Sequence, residues 1–180
     1  MNLSINNKTI NNISPSKKAA LTGIMSALIA VTTIIAIPLP PPLSTINLAP
    51  IIIFIVSILL GASIGMTATA IGCSIGYLVG TSVGAILIPP GFLYIYLVGL
   101  VAARVPMALV VGLLRKKSEN AGMVLGVTVE TLIFFSIDFA LFGIAFAVFD
   151  FGTFVDLVFV PVTFGVLIAI RRILGTKYLS

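Results

Sequence analysis

The stretch INLAPIIIFIVSILLGASIGMTATAIGCSIGYLVGTSVGAILI, residues 46–88, is an apolar run without a single charge, and it decides the fold. As one helix at about 1.5 Å per residue it would be roughly 65 Å long, twice the ~30 Å hydrocarbon core of a bilayer. The run therefore predicts two helices. Its glycine-flanked segment GASIG, residues 61–65, is the expected break, which leaves a short helix over 48–60 and a longer one over 66–88.

The whole chain has the composition of an integral membrane protein. Of its 180 residues, 59% are hydrophobic and 8% are charged, whereas soluble domains carry about 25% charged residues. A chain this apolar cannot cover a globule with polar groups, so lipid must be its solvent. The expected fold class is an all-α integral membrane protein with six transmembrane helices in one bundle.

Four further apolar runs bring the predicted number of spans to six. They cover residues 19–37, 92–114, 121–149 and 154–170, within a membrane domain over 17–174 that is flanked by polar tails at 1–16 and 175–180. Each run is long enough for a transmembrane helix, which needs roughly 20 apolar residues.

The basic residues indicate the orientation. With six spans, the lysines and arginines at the ends of the apolar runs all face the side that holds both termini. The three loops on the other side, residues 38–47, 89–91 and 150–153, carry no lysine or arginine. Positive charge accumulates on cytoplasmic loops, so both termini are expected in the cytoplasm.

The composition excludes several kinds of active site. The chain has no histidine, which excludes serine–histidine hydrolysis and histidine-ligated metals. Its single cysteine, Cys73, cannot build a cysteine metal site. The sequence contains no G-x-x-x-x-G-K-[ST] phosphate loop. We therefore expect no cofactor, no metal and no ATP hydrolysis on this chain, and an enzyme is not the preferred function.

Three ionisable residues lie inside the predicted spans, where each costs at least ~2.5 kcal/mol unless it is compensated. Arg104 lies about 16 Å from the cytoplasmic Arg115, and Glu130 lies about 15 Å along the next, antiparallel helix. The two groups are thus at one depth, either as a structural ion pair or as charges that bind solute or change partner during transport. Asp138 lies about 12 Å nearer the outside, without a basic residue at its depth.

Other candidate residues lie near the predicted outer ends of the helices. Asp150 and Asp156 either bind a solute or lie at helix ends that are exposed to water. Tyr94 and Tyr96 belong to an aromatic interface belt, or one of them stacks on a planar ligand. Asn47 either caps the second helix or binds the ligand. Asp138 either binds the ligand or forms a hydrogen bond to a neighbouring helix.

Two series of small residues occur at spacings of four, which places each on one stripe of a helix. Ala19, Gly23 and Ala27 form the first, and they admit a close helix either from this bundle or from another protein. The second, in the third span, is expected to pack within the bundle. It comprises Ala68, Gly72, Gly76, Gly80 and Gly84.

In size, predicted topology and lack of an ATPase motif, the chain resembles the substrate-binding S components of energy-coupling factor (ECF) transporters. The resemblance covers roughly residues 17–174. It rests on the Ala19/Gly23/Ala27 stripe, the loop that ends STINLAP (44–50), and the segments LLGASIGMTATAIG (59–72) and LIPPGFLYIYLVGLVAARVPMALVVGLL (87–114).

The resemblance implies a high-affinity capture subunit for a water-soluble vitamin or related micronutrient in a prokaryotic cell membrane. Its implied partners are a transmembrane coupling (T) subunit, docked on Ala19, Gly23 and Ala27, and two cytoplasmic ATPase subunits. The implied solute site lies between the first outer loop and helices four to six. On this sequence that region contains Asn47, Tyr94, Asp138, Asp150 and Asp156, with Arg104 and Glu130 deeper.

The residues also favour a solute class. The outer half has acids and tyrosines but no lysine or arginine, so we expect a cationic or amine-bearing heterocycle such as thiamine or its pyrimidine precursor. Neutral, riboflavin-like ligands rank second. Three other functions stay open: a stand-alone proton-coupled secondary transporter with Glu130 or Asp138 as proton carrier, a membrane enzyme acting on a lipid or prenyl substrate, and a purely structural assembly subunit.

Overall fold

A computed structural model of the chain describes residues 14–38, 45–86 and 91–178. Its helices are α1 (Pro15–Ile34), α2 (Ala49–Leu60), α3 (Ala62–Ser82), α4 (Leu93–Leu114), α5 (Glu119–Phe142), the short α6 (Ile144–Ala147) and α7 (Phe159–Tyr178). A 3₁₀ helix, Val148–Val158, joins α6 to α7, and two short strands, β1 (Ala36–Pro38) and β2 (Thr45–Asn47), lie between α1 and α2. Within these ranges, five helical segments are long and apolar enough to cross a membrane, and α2 is a shorter apolar helix.

The uncharged run breaks into two helices inside the predicted segment, but the break is a single residue. Gly61 has φ 93°, a conformation that side chains with a Cβ rarely adopt. Helix α3 therefore begins at Ala62, and it ends at Ser82 rather than at the predicted residue 88. The earlier end follows from the turn after it, where Gly84 has φ 73° and the Ala85 amide bonds back to the Gly80 carbonyl.

The second half of the chain also departs from the predicted spans. Helix α5 ends at Phe142 rather than at Phe149, because Gly143 takes a positive φ of 82°. The predicted loop at residues 150–153 and the start of the sixth span at 154 are replaced by the 3₁₀ helix, which runs through both. The α-helical part of the last span begins at Phe159.

The described residues confirm the predicted all-α class, and a β-hairpin with three residues in each strand lies between α1 and α2. Strands β1 and β2 pair antiparallel, with Ala36 opposite Asn47, Ile37 opposite Ile46 and Pro38 opposite Thr45. The β-branched residues favour extended backbone, and the proline stands at the end of its strand, where a missing N–H costs least. The proline-rich residues 39–44 lie outside the described ranges.

Glycine contacts hold α3 against α1. A Cβ added to Gly72 would lie 2.6 Å from the Ser26 carbonyl oxygen, and one added to Gly76 would lie 2.6 Å from the Ala30 carbonyl oxygen. Backbones can approach this closely only where one helix has no side chain. Gly72 and Gly76 of the series therefore pack within the bundle, as their spacing predicts. Gly84 does not, because it is exposed beyond the end of α3 and nothing lies within 4 Å of a Cβ placed there.

Buried and exposed apolar residues divide as they do in a membrane bundle. Met107, Met123 and Phe54, on three different helices, are fully buried in one core. Ile24, Val98 and Leu132 are more than half exposed, on the outside of the bundle. Large apolar side chains on an outer surface need no cover where the solvent is lipid, which agrees with a multi-pass membrane protein.

We predict that Gly76→Ala lowers the free energy of unfolding by about 1–3 kcal/mol, because its methyl group meets the α1 backbone. Gly23→Ala is the matched control, since nothing lies within 4 Å of a Cβ at that position of α1. Thermal unfolding of both variants in detergent measures the difference. Equal stability of the two variants would contradict the close α1–α3 contact.

Candidate functional site

A buried arginine stands at the centre of the bundle. Arg104 of α4 is 4% exposed, and its Nε donates a hydrogen bond to Oε1 of Glu130 on α5 at 3.0 Å. Its Nη2 donates to Oδ1 of Asn47, at the end of β2, also at 3.0 Å. Its Nη1 lies 3.8 Å from the Cys73 sulfur on α3. One guanidinium thus joins the hairpin and three helices, and we call these four residues the Arg104 centre.

The contacts explain how a guanidinium is tolerated at this depth. An isolated charge in a membrane interior is expensive, and it persists where opposite charge and hydrogen bonds compensate it. Glu130, 1% exposed, supplies the charge, and Asn47 supplies a neutral acceptor. The planar fork of arginine directs its nitrogens to separate acceptors, which a lysine ammonium cannot do with the same geometry. The two residues predicted to meet at mid-depth do so as a hydrogen-bonded ion pair.

Asn47 combines two roles. Its Oδ1 accepts from the Ala49 amide at 3.2 Å, which satisfies a free N–H in the first turn of α2, and it accepts from Arg104 as well. A carbonyl oxygen has two lone pairs, so this oxygen is fully used. Only the Nδ2 amide group of Asn47 is left to donate to a solute.

A second carboxylate lies beside the pair. Asp156, on the 3₁₀ helix, is buried and close enough for its charge to interact with those of Arg104 and Glu130. Among the described residues, Oε2 of Glu130 is buried without a hydrogen-bond partner. Of the two acids, only Glu130 forms an ion pair with Arg104 among the described residues.

An aromatic cluster lies where α4 begins and α5 ends. The ring of Phe142 is 5.4 Å from that of Phe92 and stacks at 6.4 Å on that of Tyr96. Tyr77 of α3 is buried, and its hydroxyl has no partner among the described residues. The sequence predicts Tyr94 rather than Tyr96 in the solute region. The i, i+4 spacing of Phe92 and Tyr96 is the signal that marks the inward face.

Comparison with known protein families assigns the chain to one of them. The model of the family described as "ECF-type riboflavin transporter, S component" matches residues 14–177. The chain belongs to this family. Neither the curated proteins nor the solved structures give a match.

The protein is thus an S component, a subunit of a membrane transporter rather than an enzyme, which confirms the resemblance drawn from the sequence. The family's description names riboflavin, the kind of solute that the sequence analysis ranked second, after thiamine.

The remaining predicted site residues of this S component are dispersed. Tyr94 is 73% exposed on the outside of the bundle, a position typical of the aromatic belt at a membrane interface. Asp138 is buried on α5, two turns beyond Glu130. The side chain of Asp150 lies outside the described part of the chain. The structure therefore joins Asn47 to Arg104 and Glu130 by hydrogen bonds and buries Asp156 in the same bundle, while Asp138 stands apart and Tyr94 faces away.

The small-residue stripe of the S component lies on its surface. Ala19, Gly23 and Ala27 are exposed along α1, and nothing lies within 4 Å of a Cβ placed at Gly23. The buried residues of α1, such as Ser26 and Ala30, face α3 instead. The stripe is therefore not used for packing against the described helices of this chain.

We predict a strong energetic coupling between Arg104 and Glu130. Glu130→Leu should lower the free energy of unfolding by about 3–5 kcal/mol, because it leaves a buried guanidinium without its counter-charge. The double variant Arg104→Leu/Glu130→Leu should lose less than this single variant. Unfolding of the single and double variants in detergent gives the coupling energy. Additive losses would show that the pair is not coupled.

Proposed function

We propose that this S component captures riboflavin, or a closely related neutral flavin, and delivers it for ATP-driven import by an energy-coupling module on other chains. The observation that carries the proposal is the family match over nearly the whole membrane domain. The Arg104 centre supports a neutral solute, because its guanidinium is already bound to Glu130 and Asn47. A carboxylate solute would have to displace one of these partners.

The proposed solute site lies between the hairpin, the outer ends of α4 and α5, and the 3₁₀ helix. The aromatic cluster of Phe92, Tyr96 and Phe142 offers flat apolar surface to a tricyclic ring. A flavin also carries an imide N–H and a chain of hydroxyl groups, which need acceptors. Asp156, Asp138 and Asp150 are the proposed acceptors, and Nδ2 of Asn47 is a proposed donor.

The proposed topology has six membrane segments and both termini in the cytoplasm. Helix α2, with 12 residues, is about 18 Å long at 1.5 Å per residue, roughly half the thickness of a bilayer. The hairpin, which ends at the depth of Arg104, completes this segment on the outer side. The charge-free outer loops support the orientation, and the family supports a prokaryotic cell membrane.

The proposed partners are a transmembrane coupling subunit and two cytoplasmic ATPases. The exposed stripe of Ala19, Gly23 and Ala27 is the proposed docking surface for the coupling subunit. Small residues let a partner helix approach closely, which is the main route to helix association in lipid. The lack of a phosphate loop in the sequence supports ATP hydrolysis on the partner chains.

We predict that the purified chain binds riboflavin without its partners, and that thiamine does not compete. A solute at a hundredfold excess over its dissociation constant stabilises the folded state by about 2.7 kcal/mol, which a thermal-shift assay detects. Quenching of flavin fluorescence gives the affinity. Asp156→Asn should weaken binding by roughly tenfold, the equivalent of one hydrogen bond to a charged group. Stabilisation by thiamine and not by riboflavin would refute the proposed solute.

We predict that Gly23→Leu abolishes co-purification with the coupling subunit and leaves riboflavin affinity unchanged. The leucine fills the stripe, while the proposed solute site lies at the outer end of the bundle. Leu28→Phe is the matched control, because it adds bulk to another exposed side of α1, about 140° around the helix from Gly23. Complex formation that survives Gly23→Leu would show that the stripe is not the docking surface.

A further inference from the structure

Arg104 of α4 and Arg115, the C-cap of α4, bind opposite ends of α2. At the start of α2, Nη2 of Arg104 donates to Oδ1 of Asn47 at 3.0 Å. At its end, Nη1 of Arg115 donates to the carbonyl oxygens of Ile58 at 3.3 Å and Leu59 at 3.5 Å. The Arg104–Asn47 and Arg115–Ile58 contacts both span 57 positions of sequence, so α2 and α4 run in the same direction and in register.

The lengths of the two helices fit this arrangement. The rise from Arg104 to Arg115 along α4 is about 16 Å, and the 12 residues of α2 extend about 18 Å. A helix this short has unsatisfied N–H groups at one end and unsatisfied C=O groups at the other. Asn47 satisfies an N–H at the first end, while Arg115 binds carbonyl oxygens at the second.

The break after α2 provides the space for the second arginine. A Cβ on Gly61 would lie 2.9 Å from Nη1 of Arg115 and 3.0 Å from its Cζ. The positive φ of Gly61 independently disfavours a side chain. Gly61 therefore both ends α2 and leaves room for the guanidinium that binds the last carbonyl groups.

We propose that Arg104 and Arg115 are positioning residues that make the hairpin, α2 and α4 behave as one rigid body. The position of the hairpin over the solute is then set partly from the far end of α2, by Arg115. The solute part of this inference rests on the proposed function. This rigid body links the inner end of the bundle mechanically to the solute site, because α2 is attached at both ends.

Amide hydrogen exchange of the full chain in detergent, without solute, tests the link. Arg115→Gln removes the charged donor at the inner end. We expect exchange of residues 45–49, at the opposite end of α2, to rise about tenfold, the effect of losing one hydrogen bond to a charged group. The amides of α3 around Gly72 and Gly76 should not change. Arg115→Lys, which keeps a cation, should restore part of the protection.

Arg171→Gln is the matched control. Arg171 pairs with Glu119 and so joins α7 to α5. Its loss removes a charge of the same kind but should leave residues 45–49 protected. Faster exchange confined to residues 58–60 in Arg115→Gln would overturn the proposal, because the two ends of α2 would then be independent. A uniform rise over all helices would overturn it as well, since Arg115 would then be a general stabiliser.

Solute release gives a second readout. Arg115→Gln should increase the dissociation rate of riboflavin about tenfold, with a smaller change in its association rate, while Arg171→Gln should change neither. An unchanged dissociation rate beside a loosened hairpin would refute the link to the solute. If the wild-type chain bound no flavin, the proposed function would fail. The exchange experiment would still decide whether Arg115 couples the two ends of α2.

Discussion

The cost of burying the Arg104 guanidinium is the constraint on which the rest of the structure depends. A charge at mid-membrane must be compensated from several directions, and each direction requires a particular element to reach it. Glu130 requires α5 to lie antiparallel to α4 at matching depth, Cys73 requires the inner face of α3, and Asn47 requires the hairpin to descend into the bundle. The contacts of this one arginine therefore align four elements, namely the hairpin, α3, α4 and α5.

The depth of Asn47 explains why the second apolar helix is short. Because β2 ends at the Arg104 centre, α2 has only part of the bundle left to cross in the proposed topology, and 12 residues suffice. Glycine contacts fix α3 to α1. The Ala19/Gly23/Ala27 stripe stays exposed on α1, while the proposed solute site is formed by other elements. The proposed docking and capture surfaces are therefore separate.

The sequence predicted those features that depend on local composition or on depth along a helix. The apolar length of residues 46–88 forced a break, glycine marked its place, and helix rise brought Arg104 and Glu130 to one level. It did not predict the hairpin, because pairing of two three-residue strands depends on contacts across the proline loop. The early end of α5 at Gly143 was missed since a glycine within an apolar run is usually tolerated in a helix. The rotation of α4 about its axis determines whether Tyr94 or Tyr96 faces inward. That rotation is set by the packing of α4 against α5, which the sequence does not reveal.

In the proposed function, Arg104 serves the structure and does not change partner when solute binds. The most direct measurement is nuclear magnetic resonance of the arginine side chains, with and without saturating riboflavin, assigned with the Arg104→Lys variant. We predict one strongly protected Nε–H signal, from the bond to Glu130, that persists at the same position in both states. Loss of that protection, or a large shift of the signal on addition of riboflavin, would contradict this role, because the guanidinium would then leave Glu130 for the solute.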